Sequence, residues 1–213
     1  MDASDQNDQV VGIILGAGSS RRLGRPKQTL PLAGSTVLGT SVANAVASTL
    51  DRVVLVVGHV ADEALAGVDP GRAEIAYNEA YGTGCASSLL AGLDAAGTCA
   101  AIALLLGDMP GVGPHAIDTV VREWRSHASF GAIAAYRGAL GHPLVFSAEA
   151  FGELRTLHGD KAVWKIVDRE PTDRIVRVEI GQDLPPDVDT WDDYAAVCAG
   201  FGFAPPPGIV PSA

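Results

Sequence analysis

The sequence GIILGAGSSRRLGRPKQTLPL, residues 12–32, joins an apolar run to a turn of glycines and serines and then to a cationic segment. The apolar run predicts a buried β-strand over Val10–Leu15. Gly16 and Gly18 follow it directly, and glycines let the main chain approach a ligand closely. Four cations then stand within seven residues, namely Arg21, Arg22, Arg25 and Lys27. The pattern predicts an α/β fold with an anion-binding loop at the carboxyl edge of its sheet.

The rest of the chain alternates short aliphatic runs with longer amphipathic ones, which is typical of a mostly parallel sheet with covering helices. The predicted strands, all interpreted as buried central strands, are Val10–Leu15, Val53–Val57, Ala73–Tyr77, Ile102–Leu106, Gly131–Tyr136 and Ile175–Ile180. Predicted helices follow a cap at Ser35 or Thr36 and cover residues 84–96, 113–125, 148–157 and 190–199. We expect one domain over residues 10–201, a flexible N-terminus over 1–9, and a proline-rich C-terminal tail over 202–213 that does not pack.

Composition and charge narrow the class of protein. Fifteen Lys plus Arg against 25 Asp plus Glu give a net charge of −10, which repels long nucleic acids. The three cysteines, Cys85, Cys99 and Cys198, form no C-x-x-C pair, which disfavours a disulfide framework and a zinc site. The acidic N-terminus lacks a signal-peptide pattern, and no apolar run approaches the ~18 residues of a membrane span. We therefore expect a cytoplasmic protein with no nucleic-acid or membrane partner.

The glycine loop departs from two common phosphate-binding motifs. The third glycine position of the dinucleotide motif G-x-G-x-x-G is occupied by Arg21. The P-loop spacing also fails, because Gly18 and Gly24 are separated by five residues and Arg25 follows. The clustered cations favour a triphosphate as the ligand of this loop. The alternative is a solvated basic loop that binds no ligand.

A second candidate site follows another aliphatic run. In AIALLLGDMPGV, residues 101–112, Asp108 stands directly after the predicted strand, at the carboxyl edge of the sheet. Magnesium is commonly held by one or two carboxylates together with phosphate oxygens, so Asp108 is a candidate metal ligand. An aspartate in this position can also serve only as a turn former or a helix cap.

These segments resemble a known family. LGAGSSRRLGRPK is similar to the loop L-x-[AG]-G-x-x-x-R-[ML]-G-x-x-K of nucleotidyltransferases related to molybdenum cofactor cytidylyltransferase and guanylyltransferase. The resemblance continues in family order, over roughly residues 10–197, through YNEAYGTGCASSLLAGL, GDMP, RGALGHPLVF, LHGDKAV and DVDTWDDY. It implies a Rossmann-like three-layer nucleotidyltransferase fold with a mostly parallel central sheet. It also implies Mg²⁺-dependent transfer of a nucleoside monophosphate to molybdopterin, with release of pyrophosphate.

The resemblance further implies roles for individual residues. Arg22 and Lys27 fall on the loop arginine and lysine that neutralise the phosphates and the departing pyrophosphate. Asp108 falls on a metal-binding aspartate, and Asp189, with Asp187 nearby, on the second metal ligand. The implied nucleotide pocket comprises the main chain of Leu15, Gly16, Ala17 and Gly18 and the side chains of Asn78 and Ser88.

Departures from the family pattern bear on the nucleobase and the acceptor. Ala17 stands where guanylyl members usually carry glycine, and its methyl group favours CTP over GTP. Lys161 and Trp164 replace smaller or shorter residues, which weakens the inference about the acceptor. His142, in the GHP motif, lies beside the implied acceptor site, and bracing the turn before Pro143 is an equal alternative for it.

Two other classes of function stay open. Some proteins that resemble this family are assigned pigment or quinone reduction, so an NAD(P)H-dependent oxidoreductase is one alternative. A non-catalytic molybdopterin carrier is the other, although carriage needs no site for a leaving group such as the one that Arg22, Lys27 and Asp108 provide. The transferase interpretation implies CTP or GTP, a molybdopterin-type acceptor, and a molybdoenzyme or its maturation factor as partners.

Overall fold

The computed structural model describes residues 7–18, 20, 22–58, 61–159 and 162–210, apart from the side chains of Thr83 and Ala162. Within them the strands are β1 Val10–Leu15, β2 Pro31–Leu32, β3 Ser35–Thr36, β4 Arg52–Val57, β5 Ala73–Tyr77, β6 Ala101–Leu106, β7 Gly131–Tyr136, β8 Ala139–Ser147 and β9 Ile175–Glu179. The α-helices are α1 Val37–Val46, α2 Ala61–Leu65, α3 Cys85–Ala96, α4 Pro114–His127, α5 Phe151–Leu154, α6 Ala162–Arg169 and α7 Trp191–Gly200. The predicted flexible N-terminus lies outside the described residues except for 7–9.

The central sheet of the described residues has the order β5-β4-β1-β6-β8-β7-β9. Strand β1 pairs in parallel with β4 and β6, so that Leu15 lies opposite Val56 on one side and Leu106 on the other. Only β8 among the strands of this sheet runs antiparallel to its neighbours, β6 and β7. The predicted α/β fold with a mostly parallel central sheet is confirmed.

Apolar clusters on both faces of the sheet complete a three-layer arrangement. Successive side chains of a strand point to opposite faces, so Val10 and Ile14 of β1 join one cluster and Val11 and Ile13 the other. Helices α1 and α4 cover the first face, and α3 and α6 cover the second. Burial on both faces explains why the central strands are continuous aliphatic runs rather than alternating patterns.

Two predicted strands occupy positions other than those expected. Strands β5 and β9 form the two edges of the sheet rather than its middle. Tyr77 at the end of β5 is 63% exposed. An apolar run shows that a strand has buried positions, but the place of the strand in the sheet depends on which neighbours pair with it.

Strand β8 and helices α2 and α6 were not predicted. Glycine and proline are depleted in strands, and Gly141 and Pro143 in ALGHPLVFS hid β8 from the sequence pattern. A tight turn leads into β8, with φ of 45° at Arg137 and 93° at Gly138, as a two-residue hairpin of the favoured type requires. The helix predicted over 148–157 is a 3-10 turn at Ala148–Ala150 followed by the short α5.

The cap of α1 is confirmed and the unpacked tail is corrected. Thr36 Oγ1 accepts a hydrogen bond from the Gly39 amide at 3.0 Å, which satisfies one free donor of the first helical turn. Phe203 and Ile209, by contrast, pack against a third apolar cluster that includes Tyr194. The prediction that the tail does not pack is wrong at these two residues, because isolated apolar side chains in a proline-rich segment can still be buried. None of the described helices has the length and apolarity needed to cross a membrane.

Candidate functional site

A cavity of about 620 Å³ opens where β1 and β6 end. Because these neighbouring strands are parallel, the loops that follow them leave the sheet at the same edge. Nine residues of the predicted site line this cavity, namely Leu15, Gly16, Ala17, Gly18, Arg22, Lys27, Ser88, Asp108 and Asp189. The structure therefore brings together most of the residues that the sequence implicated.

The two loops touch through their glycines. The Gly107 amide donates to Leu15 O at 3.0 Å, and the Gly16 amide donates to Val56 O at 2.8 Å. A Cβ at Gly107 would lie 3.0 Å from Leu15 O and 3.2 Å from Gly16 Cα, which is closer than a side chain normally allows. Glycine at this position lets the loop that carries Asp108 lie directly against the glycine loop.

A charged group lies in the cavity wall. The Lys27 ammonium pairs with Asp108 Oδ2 and lies 2.8 Å from Asp189 Oδ1. Arg22 reaches the other oxygen of Asp189, with its guanidinium nitrogen 3.0 Å from Oδ2. Only 11% of the Lys27 side chain is exposed, whereas 70% of the Arg22 side chain is. We call Arg22, Lys27, Asp108 and Asp189 the charged group.

Main-chain contacts hold Asp189 against Asp108 although they are far apart in sequence. The Val188 amide donates to Asp108 O at 3.0 Å, so the segment before α7 lies along the loop that follows β6. Asp193 Oδ2 accepts from the Asp189 amide at 3.2 Å and from the Thr190 amide at 2.7 Å. The capping box of α7 thus also fixes the main chain of Asp189.

Burial and charge act in opposite directions on these side chains. Burial alone lowers the pKa of Lys27, but the charge and hydrogen bond of Asp108, and then those of Asp189, raise it above its ordinary value. Burial raises the pKa of Asp108 against the opposing effect of Lys27. The hydrogen bond from Lys27, together with the charges of Lys27 and Arg22, lowers the pKa of Asp189 despite its partial burial.

The two carboxylates fit a metal ion that takes its remaining ligands from a substrate. Within the described part of the chain, no three His, Cys, Asp or Glu side chains form a metal-binding group. Asp108 Oδ1 is nevertheless buried without a hydrogen-bond partner, which leaves its lone pairs available. Magnesium usually binds one or two carboxylates plus substrate phosphates, so Asp108 and Asp189 suit it better than a closed protein site would.

Gln28, which was not predicted, holds the glycine loop. Its side chain is buried, and its amide nitrogen donates to Gly16 O at 3.0 Å and to Gly18 O at 2.7 Å. The amide oxygen accepts from Ser20 Oγ at 3.2 Å. No sequence signal indicates this role, because a single glutamine before an apolar segment has no characteristic spacing.

Asn78 lies behind the cavity wall, and Ser88 lies in it. Asn78 is not among the lining residues; its amide nitrogen donates to Ser87 Oγ at 2.9 Å and to Ser88 Oγ at 3.0 Å. Its amide oxygen accepts from the Ala80 amide at 2.9 Å. Asn78 therefore connects the end of β5 to the first turn of α3, which places Ser88 at the cavity. Direct contact of Asn78 with a nucleotide stays a prediction.

His142 lines a separate, mostly apolar cavity of about 100 Å³. This smaller cavity adjoins the larger one, since Leu15, Cys85, Leu106 and Gly159 line both. The ring of His142 packs edge to face against Trp164 at 6.1 Å, and its carbonyl oxygen accepts a hydrogen bond from Tyr136 Oη. Burial lowers the pKa of His142 to about 4, so the ring is neutral near pH 7. The structure places His142 beside the charged cavity rather than in it, and its acceptor role stays a prediction.

The remaining sequence candidates either do not line the cavity or lie outside the described residues. Arg25 is described, exposed and absent from the cavity wall. Arg21 and Lys161 lie outside the described residues. Tyr81 lines the cavity and was missed, because an aromatic residue in a glycine-rich segment does not indicate by itself which surface it faces.

Comparison with protein families and curated proteins is consistent with this geometry. The model of the MobA-like NTP transferase domain matches residues 12–175. Nicotine blue oxidoreductase of Paenarthrobacter nicotinovorans is 33% identical over 147 residues, covering 65% of this chain and 71% of that protein. Molybdenum cofactor cytidylyltransferase of Escherichia coli K12 is 31% identical over 136 residues, covering 63% and 68%.

Solved structures share the fold over nearly the whole chain. Rv0371c from Mycobacterium tuberculosis H37Rv has a TM-score of 0.81 at 35% identity, covering 90% of this chain and 98% of that one. A structure of Rv0371c in complex with manganese has a TM-score of 0.76 at 32% identity, with coverage of 90% and 98%.

Proposed function

The chain belongs to the MobA-like NTP transferase family, and we propose that it transfers a nucleoside monophosphate, preferably CMP, from a nucleoside triphosphate to a molybdopterin-type acceptor. Pyrophosphate is the second product and Mg²⁺ the cofactor. The charged group carries this proposal, because two cations and two carboxylates face one cavity beside a glycine loop. That combination suits a triphosphate and a metal ion, and hydride transfer needs neither.

The reaction follows from the charges involved. A phosphate oxygen of the acceptor attacks the α-phosphorus, a new P–O bond forms, and the bond to the β-phosphate oxygen breaks with the electron pair leaving on pyrophosphate. Both partners are negative, so catalysis consists mostly of alignment and electrostatic stabilisation. Arg22 and Lys27 stabilise the charge on the departing pyrophosphate. Asp108 and Asp189 would hold Mg²⁺, which when bound supplies neutralisation and polarisation of phosphoryl oxygens.

The preference for CTP rests on Ala17. Ala17 lines the cavity, and its surroundings are tight, since a Cβ on Gly58 would lie 2.9 Å from the Cβ of Ala17. Glycine at position 17 would leave more room for a purine. A pocket whose buried polar groups are left unpaired by the wrong base discriminates strongly.

The experiment is pyrophosphate release with molybdopterin and each of CTP and GTP at equal concentration, for the wild type and for Ala17→Gly. We expect the wild type to use CTP better and the variant to gain activity with GTP. If GTP is the better substrate of the wild type, the argument from Ala17 is wrong. If no nucleoside triphosphate yields pyrophosphate, the transferase proposal itself fails.

The acceptor site and the partners are part of the same proposal. We place the acceptor beside the smaller cavity that His142 and Trp164 line, because that cavity adjoins the charged one. The product would pass to a molybdoenzyme or its maturation factor in the cytoplasm. A carrier that binds molybdopterin without catalysis needs no site for a leaving group, so that function would not account for the charged group.

Oxidation or reduction of a pigment is the second candidate function. The similarity to nicotine blue oxidoreductase favours it. The test is NADPH oxidation with an electron acceptor, followed by absorbance. Turnover that is unaffected by Asp108→Asn and by a metal chelator would support the oxidoreductase over the transferase.

A further inference from the structure

The side chain of Gln28 bonds to carbonyl oxygens on both sides of Ala17. The amide nitrogen of Gln28 lies 3.0 Å from Gly16 O and 2.7 Å from Gly18 O, and Gln28 is only 3% exposed. Both hydrogens of one side-chain amide are therefore used to fix one short piece of main chain. Ser20 Oγ in turn donates to the amide oxygen of Gln28 and accepts from the Lys27 amide at 2.8 Å, so the amide is held from both ends.

Because a trans peptide unit is planar, the contact of Gln28 with Gly16 O also determines the direction of the neighbouring N–H group. Gly16 O and the Ala17 amide belong to the same planar peptide unit and point in opposite directions. Gln28 binds the carbonyl on one side, so the N–H of Ala17 points to the other. Among the described residues, neither the Ala17 amide nor the Gly18 amide has a hydrogen-bond partner in the chain, and both residues line the cavity.

Glycine on either side of Ala17 makes this orientation dependent on an external contact. Glycine occupies a wide range of backbone angles at little cost, so a peptide unit beside it can rotate more easily than one between bulkier residues. A rotated unit would present the Gly16 carbonyl, an acceptor, in place of the Ala17 N–H, a donor. Without Gln28 the loop would lose the contact that distinguishes the two arrangements.

We propose that Gln28 is a positioning residue that holds the Ala17 N–H towards the cavity as a hydrogen-bond donor to the nucleobase. The inference rests on the proposed function, since it assumes that a nucleoside triphosphate occupies the cavity. Gln28 also lines the cavity, but Gly16 O and Gly18 O take both hydrogens of its amide, which leaves it no donor for a phosphate. Its loss should weaken recognition of the base and leave the affinity for phosphates alone nearly intact.

The test compares two ligands that differ in whether they carry a base. Dissociation constants for CTP and for inorganic triphosphate are measured by calorimetry in the same magnesium buffer, for the wild type, Gln28→Met and Gln28→Glu. We expect the preference for CTP over inorganic triphosphate to fall about tenfold in both variants, which is the scale of one hydrogen bond. The charge added in Gln28→Glu repels both polyanions and therefore changes the ratio of their affinities much less than either affinity. This near-isosteric variant also serves if Gln28→Met folds poorly.

Tyr194→Phe is the matched control. Tyr194 is fully buried and its hydroxyl donates to Pro31 O, so the variant loses one side-chain hydrogen bond to a part-buried carbonyl outside the cavity. Tyr194→Phe should lower the melting temperature without changing the preference for CTP over inorganic triphosphate. A ratio that is unchanged in both Gln28 variants, or that falls equally in Tyr194→Phe, would overturn the role of Gln28. A wild type that binds CTP no better than inorganic triphosphate would instead refute nucleotide recognition and with it the proposed function.

Discussion

Replacing Lys27 by methionine should destabilise the fold and inactivate the protein for separate reasons. Lys27 is the shared partner of Asp108 and Asp189, whose side chains are 19% and 33% exposed. Methionine fills a similar volume but leaves Asp108 without a cation and leaves Asp189 paired only with the exposed Arg22. Removing one partner of a fully buried ion pair costs about 3–5 kcal/mol, and the partial exposure of both carboxylates places the expected loss nearer 2–3 kcal/mol.

A double variant separates the two effects. In Lys27→Met/Asp108→Asn the unpaired charge of Asp108 is also removed, so about half of the lost stability should return. Activity should not return, because both variants lack a cation at the departing pyrophosphate and the double variant also lacks a candidate metal ligand. We expect kcat/KM to fall about 10²-fold or more in Lys27→Met, and Asp108→Asn alone to abolish metal-dependent turnover while the fold is kept.

The assays are urea unfolding followed by tryptophan fluorescence, and pyrophosphate release. The four proteins of the cycle are the wild type, the two single variants and the double variant. The reasoning is refuted if the free energy of unfolding of Lys27→Met lies within about 0.5 kcal/mol of the wild-type value, which is the usual effect of a surface substitution. It is also refuted if the double variant is less stable than Lys27→Met.

Two further predictions concern the loop cations and the buried histidine. Arg22→Ala should lower kcat/KM for pyrophosphate release about 10²-fold, which is the scale of one lost charge stabiliser. Arg25→Ala should lower it much less, because Arg25 is exposed and does not line the cavity. Equal losses in the two variants would mean a diffuse electrostatic effect instead. Burial lowers the pKa of His142 to about 4, below its ordinary value of 6.5. Between these two pH values the unfolded chain binds a proton that the folded chain does not, so the free energy of unfolding falls as the pH drops from 6.5 towards 4. Between pH 7 and pH 5 this amounts to about 2 kcal/mol, and urea unfolding of His142→Gln should show a pH dependence weaker than that of the wild type by that amount. Identical pH profiles for the two proteins would contradict the burial argument.

The strands and the location of the site were largely accessible from the sequence. Three strands, Val10–Leu15, Ala73–Tyr77 and Gly131–Tyr136, have the predicted bounds. For the first and third the reason is burial, because a strand buried on both faces must be apolar along its whole length. Asp108 was placed at the sheet edge by its position after an aliphatic run, and the cavity lies there. Strand β8 was missed because its glycine and its proline contradict the usual strand composition, and pairing with β6 and β7 outweighs that local preference.

Local pattern and composition were enough to predict the alternation of strands and helices, the glycine loop and the charged side chains of the site. The contact of Lys27 with both Asp108 and Asp189 required the three-dimensional structure, because Lys27 and Asp189 are 162 positions apart. The three-dimensional structure was also needed to show that Asn78 and His142 do not line the larger cavity. It alone placed Gln28 beneath the glycine loop. The physical reason is that local pattern specifies how each segment bends and which face it buries, whereas the partner of a polar side chain is set by which distant segments the sheet brings to the same edge.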